Sequence, residues 1–299
     1  MTDNHVTIFQ LDGLPIRGRS LHLGEELDKA LKNPDGTERY PEDVARLLGE
    51  AMMIGALVAR ALKFKGRLVV QCHGTNDGAI SLLVADCTTD GHIRGYARWN
   101  EAQLKMIRLD NRNPGAETLL GRGTFSMTID QGPDMDQYQG LAAIEGHNLS
   151  DCAEHYFHQS EQVPTRLRLA CGQLQIPGQS STWQGGGMMI QRIAADDQRG
   201  ATDEDWQTAT TLFDTLTASE LIDPNLTQTD LLYRLFHESG VRVIDTAPIE
   251  ALCACSEDRL RATLAAFAPE ARDEMAENGL ITAACEFCGT DYHFDITKF

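Results

Sequence analysis

Residues 253–288 read CACSEDRLRATLAAFAPEARDEMAENGLITAACEFC, and this stretch decides how the C-terminal end of the chain folds. It opens on a C-x-C pair, Cys253 and Cys255, and closes on a C-x-x-C pair, Cys285 and Cys288. Two close thiol pairs supply the four soft donors that a tetrahedral zinc ion takes, each at about 2.3 Å. The C-x-x-C spacing lets a tight knuckle present both sulfurs to one ion, and Gly289 directly after it gives the backbone the freedom such a knuckle uses. C-x-C is less common in zinc ribbons and sets two sulfurs on an extended segment. Each pair is also close enough to become a disulfide on oxidation, so the set reads as a structural staple or as a redox switch. The plainer alternative is four unrelated buried cysteines. It fits poorly with half of the chain's 8 cysteines falling in two tight pairs.

Composition sets bounds on the rest. At 299 residues the chain is long enough for a substantial core and for two domains. Hydrophobic residues make up 42% and charged residues 23%, as in ordinary soluble proteins. The start, Met-Thr-Asp-Asn-His, lacks the basic and apolar regions of a signal peptide. The longest uncharged apolar run, Ala51 to Ala59, is too short to span a bilayer. Cysteines without a secretory signal lead us to expect a reducing cytoplasm, where thiols stay reduced or bind metal.

The net charge of −18 is unevenly spread. Residues 200–250 carry 10 acidic and 2 basic side chains, and residues 251–299 carry 9 and 4. A zinc module on nucleic acid would want the opposite sign, because phosphate contacts dominate that affinity. Neither nucleic acid nor a membrane is therefore an expected partner.

The first two-thirds reads as a compact α+β domain. Thr7–Leu11 is a short strand. Pro41–Phe64 reads as a helix with apolar residues round most of its circumference, hence a buried one. Arg67–Cys72, Ala79–Asp86 and His92–Trp99 are strands joined by short polar turns, which means antiparallel pairing. Thr124–Asp130, Arg166–Cys171 and Met188–Ile193 are further strands, and Ser150 caps a helix running to Glu161. Gly185-Gly186-Gly187 lacks the Lys-Ser/Thr of a phosphate loop and reads as a loop before a strand. His147, His155 and His158 read as a solvated face rather than a metal cluster. No nucleophile elbow and no H-E-x-x-H helix is present, and no enzyme activity is expected.

Residues 200–250 read as a helical linker. Thr202 with Asp205, and Thr227 with Asp230, have capping-box spacing. Helices of Asp203–Thr217 and Gln228–Ser239 follow, the second ended by Gly240. They carry Trp206, Leu212, Phe213, Leu231, Leu235 and Phe236. The plain reading is an ordinary helical connector. The alternative is a segment folded only while docked, which on release offers these apolar side chains to other proteins.

The chain resembles the redox-regulated heat-shock holdases, the 33 kDa chaperonin family. The resemblance runs through YPEDVARLLGEAMMIGALVARALKFKGRLVVQ (40–71), RGYAR (94–98), GRGTFSMTID (121–130), YQGLAAIEG (138–146), SEQVPTR (160–166) and GGGMMIQ (185–191). It is most specific at CACSEDR (253–259) and CEFCGTDYHF (285–294). It implies an N-terminal antiparallel-sheet and helix core domain (1–199), a helical redox-responsive linker (200–250) and a small zinc-binding, redox-switch domain (251–299). By position, Cys253, Cys255, Cys285 and Cys288 become the zinc ligands, and each local pair becomes a disulfide on oxidation. The implied function is an ATP-independent holdase, inactive when reduced and zinc-bound. Implied partners are unfolded or oxidatively damaged proteins, ATP-dependent refolding chaperones and a second copy of the chain. Cys72, Cys87, Cys152 and Cys171 lie outside the motif and read as buried core thiols.

Two rival functions differ in class. A thiol-disulfide oxidoreductase using Cys285 and Cys288 would want a βαβ context that is absent here. A zinc-ribbon interaction module would serve nucleic acid or a protein complex, and the acidic C-terminal third argues against the former.

Overall fold

The computed structural model describes residues 4–62, 65–132, 135–178, 180–193 and 203–299. The chain begins with an antiparallel pair, β1 (His5–Leu11) and β2 (Ile16–Leu23), then helices α1 (Glu25–Leu31) and α2 (Glu42–Ala59). A meander follows: β3 (Arg67–His73), β4 (Ile80–Thr88) and β5 (His92–Trp99). Next come α3 (Glu101–Asp110), α4 (Ala116–Leu120), β6 (Thr124–Asp130), β7 (Tyr138–Ala143) and α5 (Leu149–Tyr156). Strands β8 (Thr165–Leu174) and β9 (Thr182–Arg192) form a long hairpin. Helices α6 (Asp203–Phe213), α7 (Ala218–Leu221) and α8 (Gln228–Phe236) lead to β10 (Val241–Pro248) and β11 (Glu250–Ala251). The chain ends with α9 (Glu257–Ala265), α10 (Pro269–Met275), β12 (Leu280–Ala284) and β13 (Asp291–Asp295).

Two sheets enclose α2. One has the order β10-β1-β2-β9-β8, the other β11-β5-β4-β3-β6-β7. Every pairing within them is antiparallel except β11 on β5. All but three of the 18 residues of α2 are buried, as its all-round apolar sequence requires. Each fully buried Leu, Ile or Met there contributes about 1.5–3 kcal/mol, so this helix anchors the main core. Pro41 is its N-cap and Arg60 its C-cap, so it is shorter at both ends than the sequence suggested. Phe64 lies outside the described residues.

A second apolar cluster lies on the other face of the five-stranded sheet. Phe9, Leu11, Ile16, Met188 and Ile190 from the strands meet Phe213, Leu216, Leu231, Leu235 and Phe236 from the region of α6–α8. Residues 203–250 are thus laid over the sheet. They are not purely helical: β10 zips antiparallel onto β1 from His5↔Pro248 to Leu11↔Val241. The reading as a helical connector missed this strand because its partner is more than 200 residues away. Thr227 caps α8 through Asp230 N at 3.1 Å, as its spacing predicted. Thr202 lies outside the described residues.

Two other local readings are corrected. Gly185–Gly187 is not a loop but the middle of β9. A Cβ at Gly185 would fall 2.6 Å from Leu27 Cδ2, and one at Gly186 would fall 1.8 Å from the Leu221 carbonyl oxygen on the opposite face. Alternation along the strand therefore sends 185 toward α1 and α2 and 186 toward α7, and only glycine lets both approach. The cap of α5 is Asn148, with a capping box to Asp151, and not Ser150. That helix ends in a π turn over Phe157–Glu161.

Candidate metal centre and its seat on the core

The two cysteine pairs sit at the ends of different elements. Cys253 and Cys255 follow β11 on an extended segment, and Ser256 then caps α9 by accepting from Arg259 N. Cys285 and Cys288 form a turn between β12 and β13, which pair from Leu280↔Asp295 to Ala284↔Asp291. The turn closes through Gly289 N donating to Cys285 O at 2.8 Å, with Gly289 at φ 72°. That left-handed conformation is cheap only for glycine, as the motif suggested. A small apolar cluster of Leu264, Ile281 and Phe294 backs the hairpin.

Folding brings the four sulfurs together. All lie within 4.8 Å of one another, with Cys253 Sγ 3.7 Å from Cys285 Sγ and Cys255 Sγ 3.4 Å from Cys288 Sγ. Sulfurs at about 2.3 Å from the centre of a tetrahedron stand about 3.8 Å apart, so these spacings suit one ion. No His or carboxylate joins the group among the described residues, and a donor set of four thiols favours a soft tetrahedral metal over calcium or magnesium. His155 and His158 are both exposed, as expected of a solvated face.

The thiols are not equivalent. Burial pushes Cys255 up to about 12, although the Tyr292 hydroxyl beside it, at 3.2 Å, pulls the other way. Burial also acts to raise Cys288, but the hydroxyl and backbone of Thr290 and the neighbouring thiols outweigh it and hold that group at about 7. Cys285 is raised, first by burial. Cys288 is thus a readier thiolate than Cys255 or Cys285.

The knuckle rests on the edge of the six-stranded sheet. Arg39 donates to the carbonyl oxygens of Phe287, at 2.6 Å, and of Glu286. The Tyr96 hydroxyl meets the Glu286 carboxylate at 3.1 Å. Arg94 stacks on the Phe287 ring at 4.3 Å and reaches Cys253 Sγ at 3.8 Å. Arg98 pairs with the Glu286 carboxylate at 3.8 Å, so a cluster of three arginines, Arg39, Arg94 and Arg98, faces the cysteine-bearing segment. Sequence reasoning missed this cluster. The signal was present in RGYAR (94–98), whose alternate residues share one face of β5.

The proposed client-binding side chains are gathered elsewhere. Phe213, Leu231, Leu235 and Phe236 are buried against the five-stranded sheet, while Trp206 and Leu212 are half-buried at its margin. Phe236 meets Phe9 with ring centroids 5.9 Å apart. Arg166 holds Asp214 at 2.5 Å, and Arg168 donates to the Leu216 carbonyl oxygen. The other four cysteines are dispersed within the core region, three of them buried.

Among the described residues no helix is long and apolar enough to cross a membrane. A 33 kDa chaperonin of Caulobacter vibrioides is 48% identical over 294 residues, spanning 98% of this chain and 95% of that protein. A 33 kDa chaperonin of Pseudomonas aeruginosa is 34% identical over 293 residues, spanning 96% and 90%. The fold matches the crystal structure of a 33 kDa chaperonin, a heat shock protein 33 homologue, from Thermotoga maritima. That match has a TM-score of 0.76 at 20% identity and covers 99% of this chain and 97% of the other. The profile of the family described as Hsp33 protein matches residues 4–295, and the chain belongs to that family.

Proposed function

We propose that the chain is a chaperone of the holdase type, switched by oxidation and independent of ATP. In the resting state Cys253, Cys255, Cys285 and Cys288 hold one zinc ion as thiolates. The observation that carries this reading is the convergence of the four sulfurs within 4.8 Å on a knuckle seated against the core. The names of the relatives support a chaperone, with unfolded or oxidatively damaged proteins as clients. ATP-dependent refolding chaperones would receive those clients, and a second copy of the chain is a further proposed partner. The proposed place of action is the cytoplasm. The proposed division is a core of 1–199, a linker of 200–250 and a zinc domain of 251–299.

Bound zinc would supply a crosslink between the 253–255 segment and the 285–288 knuckle, worth about 10–16 kcal/mol in small zinc-finger peptides. The third apolar cluster contains only three buried side chains and gives that segment little stability of its own. Peroxide oxidises one thiolate to a sulfenic acid, and a neighbouring thiolate displaces hydroxide to form a disulfide. The proposed disulfides are Cys253–Cys255 and Cys285–Cys288. Each removes two donors from the set.

Loss of order in the C-terminal segment has a short path to the linker. Leu252 N bonds Ile93 O and Ile249 N bonds Asn4 O, so the chain is tied to the core just ahead of Cys253 and just after β10. Fraying that strip loosens β10 from β1 and weakens the cover of α6–α8. Trp206, Leu212, Phe213, Leu231, Leu235 and Phe236 then become available to clients, as does the sheet face around Phe9 and Ile190.

A metal-sensitive dye tests the switch. Reduced protein should yield one zinc per chain only after peroxide, with peptide mapping finding the two local disulfides. Retention of zinc by fully oxidised protein, or undiminished affinity in Cys285→Ser, would refute the assignment.

A further inference from the structure

Beyond the C-terminal end of α2, between the two sheets, lies a cavity of about 150 Å³. Its walls are mainly apolar: Val58 comes from α2, Met127 from β6 and Met189 from β9. Arg19 of β2 also lines it. Strand alternation explains how an arginine came to be there. Leu21 and Leu23 turn inward to the main core while Ile16 joins the cluster on the opposite face, so Arg19 holds an inward position.

Arg19 is only 6% exposed. Its Nη1 donates to the neutral Gln191 Oε1 at 3.2 Å, and its Nε has no partner among the described residues. Among those residues no carboxylate forms an ion pair with it. Burial, with Arg17 nearby, lowers its basicity to about 10, which leaves it charged at neutral pH. The end of α2 offers a guanidinium about half a negative charge, less than the full charge it carries. An uncompensated buried cation is destabilising. Glu161 on the same lining is exposed and accepts from the Tyr156 hydroxyl at 3.3 Å.

We infer that this cavity is a binding site for a small apolar carboxylate, its anionic group paired with Arg19 and its body packed among Val58, Met127 and Met189. The size sets the class: an apolar cavity of about 150 Å³ admits a benzene-sized body. A planar carboxylate matches the fork of a guanidinium, and the pair supplies the charge that the surrounding protein does not.

Three probes with one body and different charge test this on the full-length reduced protein: benzoate, benzyl alcohol and benzylammonium, followed by calorimetry and by shifts in thermal unfolding. Benzoate should bind about tenfold more tightly than benzyl alcohol, the scale of one charge-assisted hydrogen bond, and benzylammonium should not bind. Arg19→Met should erase the preference for benzoate while benzyl alcohol still binds, which shows that the cavity survives. Ala61→Phe, which fills the cavity from the end of α2, should abolish both. Absence of benzoate binding to the parent would overturn the proposal. So would an undiminished preference for benzoate in Arg19→Met, or full binding in Ala61→Phe.

Discussion

The Arg94 guanidinium lies 4.3 Å from the centre of the Phe287 ring, while its Nη1 stands 3.8 Å from Cys253 Sγ. One core side chain therefore touches both cysteine motifs. Asp86 orients it through bonds of 2.5 and 2.9 Å. Such a cation–ring contact contributes about 0.5–2 kcal/mol. Phe287→Ala removes the ring and leaves Asp86 paired. Hydrogen exchange over 285–289 should quicken several-fold in that variant while α2 stays protected. Arg94→Met should be worse, since it also strips the buried Asp86 of its closest partner. Unchanged exchange in both variants would show that the knuckle is held by Arg39 and the backbone instead.

Gly186 and Gly185 separate docking from folding. Gly186→Ala drives a Cβ to 1.8 Å from a backbone oxygen of α7, so the helix must move. Overpacking of this kind costs about 1–3 kcal/mol. The expected result is faster exchange across 203–250 and partial holdase activity in the reduced protein. Gly185→Ala meets Leu27 and Met53 of the main core and should lower the melting temperature without that activity. Equal behaviour of the two would contradict the proposed role of the α7 contact.

Replacing Leu231, Leu235 and Phe236 together by Ala attacks the same cover from the linker side. All three are under 5% exposed, and truncations of buried Leu and Phe each cost about 2–5 kcal/mol. That sum exceeds what short helices of this kind can withstand, so the segment should release while reduced. A triple variant with parental exchange and no activity would place the docking energy elsewhere.

The thiols outside the cluster should stay inert. Burial raises Cys72, Cys87 and Cys171 strongly, and raises Cys152 from 9.0 to about 11. Cys171 also fills the space above Gly49 of α2, as Cys87 does above Gly55. A thiol raised in the folded state stabilises the fold below its unfolded value and loses that contribution as pH rises through its folded value. Alkylation of native protein at neutral pH should spare these four, and stability should fall as pH climbs from 9 toward 11. Rapid native labelling of Cys152 at neutral pH would contradict this.

The cysteine set was legible in the sequence because both pairs are local, and Gly289 announced the turn. The meander β3-β4-β5 was legible for the same reason, since short polar turns fix antiparallel neighbours. What escaped was long-range. Val241–Pro248 becomes a strand only because β1 offers an edge, and Gly185–Gly187 becomes one only because helices press on both faces. Arg94 and Arg98 share β5 while Arg39 comes from the loop between α1 and α2, and their convergence on Glu286 and Phe287 depends on how β5 meets the knuckle.

The central claim is that oxidation of the four clustered cysteines turns a silent protein into a holdase. Light scattering of a thermally aggregating client, without nucleotide, tests it most directly. The account predicts that reduced, zinc-loaded protein leaves aggregation unchanged, and that peroxide-treated protein suppresses it near one chain per client. Equal suppression by both forms, or by neither, would contradict the account.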